Sequence, residues 1–189
     1  MSLARYLSKL AGLVGSDGKV PMSALSGILA KGQLPSGAVL QVVSAVKTDT
    51  FSTTSSSGVD ITGLSASITP TSASSKILIL SDCSFGGSAG NAAVLRLAKN
   101  GSVIYGGDFS SGRPNGLAWG YNGSDYNLQR SGGVYLDSPA TTSAITYNLK
   151  LSNTDGINAA YINRSTADRA ATNYDLRTAS SITLMEIAG

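Results

Sequence analysis

From residue 39 to its last residue, the chain is a succession of short apolar, β-branched runs separated by Gly, Ser, Asn and Pro. Runs of this kind, about ten residues apart and bounded by turn residues, are typical of β-strands joined by tight connections. No segment between them has the apolar periodicity of a long helix, so β–α–β units are not indicated. The pattern predicts an all-β, antiparallel Greek-key sandwich or jelly roll of about eight to ten strands.

We expect strands wherever β-branched or aromatic residues are flanked by turn signals. The strongest hairpin signal is Asn100-Gly101, because both residues accept the positive φ angles of a type I′ turn. The expected strands are residues 39–46, 51–54, 59–62, 65–69, 76–83, 93–98, 102–105, 117–121, 133–136, 144–151, 158–163 and 180–187.

The first and last of these segments are apolar on both alternating faces. Residues 39–46 contain only Gln41 and Ser44 as polar residues, and residues 182–187 are apolar on both faces apart from Glu186. A strand of this kind is typically covered on two sides. We therefore expect these strands to be central neighbours in one sheet, with one face in the core and the other against a second subunit. Coverage by a loop or by the N-terminal residues is the alternative.

Charge divides the chain into two parts. Residues 1–38 carry four basic residues and one acidic residue, which accounts for the whole net charge of +3, whereas residues 39–189 are neutral. Four basic residues fall short of the clusters typical of nucleic-acid binding. We expect an N-terminal attachment arm at residues 1–38, a jelly-roll body at residues 39–189, and no nucleic-acid partner.

The arm begins with apolar residues at helical spacing. Ser2 is a suitable cap for a short helix with one apolar stripe and two basic residues. So short a helix is marginal alone in water, and its stripe has to pack against something. We expect docking onto an acidic partner surface or onto symmetry mates, and packing back onto the body is the alternative. The predicted docking residues are Leu3, Arg5, Leu7, Lys9, Leu10 and Val14.

Composition narrows the possible chemistry. The chain has no histidine, which excludes Ser-His-Asp and Cys-His catalysis and most zinc sites. Its aspartates are spread singly through expected turns, so a paired-carboxylate glycosidase site is not indicated. The single cysteine, Cys83, lies in an expected strand, which favours a packing role. We predict no catalytic residue, no metal site and no cofactor.

The sequence also lacks the features of a membrane or secreted protein. No run approaches the roughly 18 apolar residues of a membrane span. Arg5 and Lys9 interrupt the apolar residues at the N-terminus, so an uninterrupted signal-peptide core is absent. We expect a protein that is made in the host cytoplasm and reaches its final location by assembly or lysis.

Residues 105–135 combine aromatic side chains with Gly, Asn, Ser and Arg. Flat rings stack on sugar faces and have few rotatable bonds, so ordering them costs little entropy. Trp119, Tyr121 and Tyr126 are therefore candidates for contact with a glycan or receptor. The alternative is that these rings fill the ends of the core or a subunit contact.

Four segments of the body carry a family resemblance. They are GAVLQVV at residues 37–43, DITGLSASITPTSASSKILIL at residues 60–80, LRLAKNG at residues 95–101 and ITLMEI at residues 182–187. Together they resemble small fibre-like structural proteins of tailed bacteriophages, of the marine and cyanophage type. The resemblance implies a trimeric, TNF-like jelly-roll head with an N-terminal virion-attachment segment. The chain lacks shaft repeats, which favours a compact decoration protein or short fibre over a long fibre.

Two functions are consistent with these features. The favoured one is a non-enzymatic virion structural protein, a homotrimeric capsid-decoration (cement) or short-fibre protein on the exterior of the particle. It would dock onto phage capsid or tail proteins through its arm. The alternative is a receptor-binding tail-fibre head that recognises host surface polysaccharide through its aromatic residues and so mediates host attachment.

Overall fold

The computed structural model describes residues 34–108, 112–113, 115–170 and 173–189. Within these ranges the chain forms eleven strands and no helix, and consequently none of membrane-spanning length. The strands are β1 (Val39–Lys47), β2 (Phe51–Thr53), β3 (Val59–Ile68), β4 (Lys76–Gly87), β5 (Asn91–Lys99), β6 (Ser102–Tyr105), β7 (Ala118–Asn122), β8 (Gln129–Asp137), β9 (Ile145–Asn153), β10 (Ala160–Ile162) and β11 (Ser180–Ile187).

The strands form two antiparallel sheets. The six-stranded sheet runs β1-β11-β4-β8, and the short strands β10 and β2 continue it beside the end of β4. The five-stranded sheet runs β3-β9-β5, and β7 and β6 share the far side of β5. The chain repeatedly crosses between the sheets, because β1, β4, β8 and β11 belong to one and β3, β5, β7 and β9 to the other. This connectivity confirms the expected jelly-roll sandwich.

The expected strands agree with the structure except at one strand. Residues 59–62 and 65–69, expected as two strands, form the single strand β3 with a register shift between Asp60 and Ser65. Gly63 lies inside this irregularity at a φ of 88°, a left-handed conformation that glycine adopts without strain. Five residue steps on β3, from Asp60 to Ser65, face two on β9, from Lys150 to Asn148, so the irregularity that joins the two runs is larger than a one-residue β-bulge.

The Asn100-Gly101 hairpin between β5 and β6 forms as expected. Asn100 has a φ of 49° and Gly101 a φ of 86°, which are the positive values that a type I′ turn requires.

The first and last strands are paired, but β1 lies at the edge of its sheet and not at the centre. The neighbours of β11 are β1 on one side and β4 on the other. Only one side of β1 is covered in the single chain, because Val42 and Val46 on the outer side remain exposed. The two-sided coverage expected from the sequence is therefore not completed by any described part of this chain.

The core lies between the inner faces of the two sheets. Its largest fully buried side chains are Ile61, Leu64, Ile68, Ile77, Ile79, Phe85, Leu95, Leu97, Tyr147, Leu149, Leu151 and Ile162. Cys83 is also fully buried there, and burial raises the pKa of its thiol to about 11. Because the thiolate is the reactive form, Cys83 is an inert packing residue.

Glu186 is a buried charge that ties three segments together. Its carboxylate accepts hydrogen bonds from the Thr71 backbone N–H at 2.7 Å, the Thr71 hydroxyl at 2.6 Å and the Gln41 amide at 2.6 Å. Burial acts to raise the pKa of this carboxyl, but the hydrogen bonds outweigh it and the pKa lies below its ordinary value of 4.5. The ionised carboxylate therefore fastens β1 and the β3–β4 connection to β11.

Replacing Glu186 by Gln should lower the free energy of unfolding at neutral pH by about 1–3 kcal/mol, because a neutral amide cannot accept all three bonds. The pKa of Glu186 is lower in the folded state, so its contribution is present above a pH of about 4.5 and is lost as the pH falls further. Urea unfolding of both proteins at neutral pH and near pH 3 tests this. An equal difference in stability at both pH values would contradict it.

Candidate functional site

The outer face of the six-stranded sheet is apolar, whereas an exposed antiparallel sheet usually presents polar side chains to water. Val42, Met185, Leu78 and Leu136 lie opposite one another in one row across β1, β11, β4 and β8. The next row contains Leu80 and Val134. The residues of this surface, called the apolar face below, are Val42, Val46, Leu78, Leu80, Val134, Leu136 and Met185.

These side chains are open to solvent in the single chain. Val46 is 64% exposed, Val134 62%, Val42 55% and Leu136 48%. The other members of the apolar face are half-buried. Isolated exposed valines are ordinary, but neighbouring ones across four strands form a continuous patch of the kind that marks a protein contact.

A neutral ion pair borders the apolar face. Arg130 on β8 donates a charge-assisted hydrogen bond to Asp82 on β4, one row beyond Val134 and Leu80. The Ser44 and Thr183 hydroxyls are 2.9 Å apart and lie within the face, in the row of Leu80 and Val134. These polar groups have partners within the chain, whereas Lys76, two residues before Leu78 on β4, is exposed and forms no ion pair with the described residues.

The outer face of the five-stranded sheet has the opposite character. The Asn148 amide donates to Asp60 at 2.8 Å, and the Ser67 and Thr146 hydroxyls are 2.7 Å apart. Lys150 forms an ion pair with the same Asp60 carboxylate. Polar side chains that bond to one another across strands suit a solvated surface. The outer face of this sheet is therefore polar along β3 and β9, whereas on β7 it carries the exposed rings of Trp119 and Tyr121.

The structure brings two of the three predicted aromatic contacts together. Trp119 and Tyr121 are alternate residues of β7, so they share its outer face, and their ring centroids are 6.5 Å apart in a stacked arrangement. Trp119 is 60% exposed and Tyr121 54%. In the single chain they do not fill the core.

Tyr126 lies elsewhere, in a groove of about 420 Å³ between the β7–β8 and β10–β11 connections. This groove, called the tyrosine groove below, also contains Tyr174, which is 75% exposed. The residues that line it are Ser84, Tyr126, Asn127, Leu128, Arg130, Tyr174, Leu176 and Thr178. Sequence reasoning missed Tyr174 and Leu176, because no motif marks the β10–β11 connection and only the fold brings it beside Tyr126.

Gly86 near the end of β4 allows both connections to approach the strand. A Cβ atom at this position would lie 2.9 Å from the Asn127 carbonyl oxygen and 3.0 Å from that of Arg164. These are backbone atoms of the two connections, and neither can move without displacing its loop. The absence of a side chain at Gly86 therefore sets how closely the walls of the tyrosine groove come together.

Ion pairs within the β10–β11 connection hold its shape. The Asp175 side chain is 1% exposed and accepts from the Ser165 hydroxyl at 2.7 Å and from Arg169 Nε at 2.7 Å. Asp168 accepts two hydrogen bonds from Arg177, at 3.0 and 2.8 Å. Bidentate arginine pairs of this type are among the stronger side-chain interactions.

The same aspartates do not form a hydrolytic pair. The hydrogen bond from Arg177 is the main reason that the pKa of Asp168 lies below its ordinary value. A glycosidase general acid needs a raised pKa, so Asp168 has the wrong protonation state for that role. Among the described residues no group of three or more Cys, Asp or Glu side chains is placed to hold a metal ion.

The predicted docking residues of the arm lie outside the described residues, and their role stays a prediction. They are Leu3, Arg5, Leu7, Lys9, Leu10 and Val14. The chain enters the body beside the end of β11, where the Gly37 N–H donates to the Ala188 carbonyl and the Ala188 N–H donates to the Ala38 carbonyl, both at 2.8 Å. Whatever precedes residue 37 therefore leaves the sandwich next to the last strand.

No protein-family model matches the chain, and no curated protein matches it. Among solved structures, it is similar to the infectious bursal disease virus Gx strain structure, at 15% identity and a TM-score of 0.38, covering 81% of this chain and 43% of that chain. It is also similar to the VP2 subviral particle of that virus, at 19% identity and a TM-score of 0.35, covering 78% of this chain and 38% of the other. The chain thus spans less than half the length of these matched chains.

Replacing Gly86 by Ala should displace at least one wall of the tyrosine groove and destabilise the fold by about 1–3 kcal/mol, as overpacking typically does. Gly107→Ala is the matched control, because a Cβ atom there meets no atom within 4 Å. Thermal unfolding and amide chemical shifts of the two connections measure the effects. Equal melting temperatures and unshifted loop resonances in both variants would contradict the role assigned to Gly86.

Proposed function

We propose that the protein is a non-enzymatic structural component of a bacteriophage particle, a capsid-decoration or short-fibre protein. In this proposal it forms a homotrimer through its apolar face and attaches to capsid or tail proteins through residues 1–38. The observation that carries the proposal is the apolar face, a partly exposed surface of aliphatic side chains that spans four strands of the six-stranded sheet.

The energetics favour burial of this face. Moving a Val, Leu or Met side chain out of water contributes about 1.5–3 kcal/mol when burial is complete. Association costs about 4–15 kcal/mol in lost freedom of motion, so only a contact with several such residues from each subunit is favourable. The apolar face presents its residues side by side on rigid strands, which keeps the additional ordering cost low.

A second copy of the chain is the occupant that best matches the charges. Arg130 and Asp82 neutralise each other at the margin of the face, so this pair adds no net charge to a contact between copies. A strongly charged partner would find no complementary charge in the apolar rows. In a closed three-fold ring, different parts of the face on neighbouring subunits contact each other, and this contact completes the coverage of β1.

The arm supplies the attachment. The chain enters the body beside Ala188, so in a rotationally symmetric trimer all three arms start at one end of the assembly. Three weak contacts act together because tethering gives each arm an effective concentration of about a millimolar at its neighbouring site. The resemblance of residues 37–43, 60–80, 95–101 and 182–187 to phage fibre-like proteins supports a virion as the place of attachment and its exterior surface as the location.

A receptor-binding tail-fibre head is the second candidate. The exposed stacked rings of Trp119 and Tyr121 favour it, because large aromatic residues without a packing role are costly to leave in water. This function is compatible with a trimer, since a fibre head also assembles. The two candidates differ in whether a host surface polysaccharide is bound.

Replacing Val134 by Asp should dissociate the oligomer while leaving the fold intact, because the side chain is 62% exposed in the single chain and an interface would bury the new charge. Val103→Asp is the matched control, since Val103 is 46% exposed on the other sheet. Sedimentation velocity gives the oligomeric state, and circular dichroism reports the fold. A wild-type monomer, or a Val134→Asp variant with the wild-type mass, would refute self-association through this face.

Deleting residues 1–36 should give a folded oligomer that no longer incorporates into particles, because the body keeps its interface and loses its attachment. Incorporation is measured by complementing a phage that lacks the gene and quantifying the protein in purified particles. Normal incorporation of the truncated protein would show that attachment does not depend on the arm.

A further inference from the structure

The tyrosine groove has the size and position of a ligand site. Its volume of about 420 Å³ lies within the range of roughly 300–1,000 Å³ that small-molecule sites occupy. The β7–β8 connection contributes Tyr126 and Asn127 to one wall, and the β10–β11 connection contributes Tyr174 and Thr178 to the other. Ser84 on β4 also lines the groove.

The two tyrosines provide ring surfaces at the mouth of the groove. Tyr126 is 49% exposed and Tyr174 75%. The Arg169 guanidinium lies 4.4 Å from the centroid of the Tyr126 ring, and its bond to Asp175 holds it there. The Tyr126 ring is thereby fixed by an interaction within the protein, so little further ordering is needed when a ligand stacks on it.

Three arginines around the groove are already paired with carboxylates. Arg130 pairs with Asp82, Arg169 with Asp175, and Arg177 with Asp168. These three arginines thus each have a carboxylate partner, and Asp125 beside Tyr126 is an acidic group whose carboxylate accepts from the Ala89 N–H. An anionic ligand would compete with the paired carboxylates and meet the charge of Asp125, whereas a neutral ligand would not.

The polar groups that remain are hydroxyls and amides. The Thr178 hydroxyl oxygen is buried and has no hydrogen-bond partner within the described protein. A buried hydroxyl without a partner is uncommon and is satisfied by a bound water or a ligand hydroxyl. The Asn127 side chain lines the opposite wall and offers both a donor and an acceptor.

The walls are held together before any ligand binds. The Ala167 N–H of one connection donates to the Asp125 carbonyl of the other at 3.1 Å. The Asp125 carboxylate in turn accepts from the Ala89 N–H at 2.8 Å. Both connections are therefore anchored to each other at Ala167 and Asp125, and to the β4–β5 turn at Ala89.

We propose that the tyrosine groove binds a neutral oligosaccharide, with Tyr126 and Tyr174 stacking on sugar rings and Asn127 and Thr178 bonding to hydroxyls. The inference rests on the second proposed function, host recognition, and places its site away from Trp119 and Tyr121. Aromatic faces beside uncharged donors and acceptors match a polyol with apolar ring faces. The stacking residues Tyr126 and Tyr174 are not part of the apolar face, although Arg130 borders both surfaces.

The test is titration of the full-length protein with maltohexaose, mannohexaose and chitohexaose as neutral probes, and with a heparin-derived hexasaccharide as a charged one. Isothermal titration calorimetry and amide chemical shifts should show binding of at least one neutral probe at the two connections. Tyr174→Ala should weaken that binding about tenfold, the equivalent of one lost stacking contact. Tyr174→Phe, which keeps the ring, should bind like wild type.

A variant with Trp119→Ala and Tyr121→Ala is the matched control and should keep wild-type affinity. The proposal fails if no neutral probe binds at about 10 mM, a concentration at which even a millimolar Kd is detected. It also fails if the heparin fragment binds best, or if the control variant loses binding while Tyr174→Ala retains it. Sedimentation of the same samples separates this failure from a failure of assembly, because all these variants should keep the wild-type mass.

Discussion

The architecture depends on β4, which has hydrogen-bonded neighbours along both of its edges. It pairs with β8 on one side and with β11 and then β10 on the other. Its inner face supplies Ile77, Ile79 and Phe85 to the core, and its outer face supplies Leu78 and Leu80 to the apolar face. β4 ends in Gly86 and Gly87, and the β7–β8 and β10–β11 connections pack against Gly86. One strand thus links the core, the apolar face and the tyrosine groove.

The outer face of β1, β11, β4 and β8 differs in polarity from the outer face of β3 and β9. An outer row of valine, methionine and leucine side chains has no favourable arrangement in water, whereas the Asp60, Asn148 and Lys150 side chains of the other sheet satisfy one another. The difference does not arise from overall composition, because both sheets come from the same neutral body. It arises from which residues share a face, and this is decided by strand register.

Much of the fold follows from local pattern, and most of the tyrosine groove does not. Alternation and turn chemistry are short-range properties, so β6, β11 and the Asn100-Gly101 hairpin are predictable from neighbouring residues. The edge position of β1 was not predicted, because it depends on which distant strands pair with one another. An apolar segment has the same sequence pattern in an edge strand as in a central strand. Tyr126 and Tyr174 line the same groove only because the tertiary structure brings their two connections together, and no local sequence pattern predicts this. The predicted docking residues of the arm lie within residues 1–33, outside the described residues.

The buried state of Cys83 has a practical consequence. The chain contains one cysteine, and its thiol is fully enclosed by the core with a raised pKa. A thiol introduced at an exposed position would therefore be the only one to react with a maleimide dye in the folded protein. A dye can therefore be attached at one chosen surface position without removing Cys83 from the core.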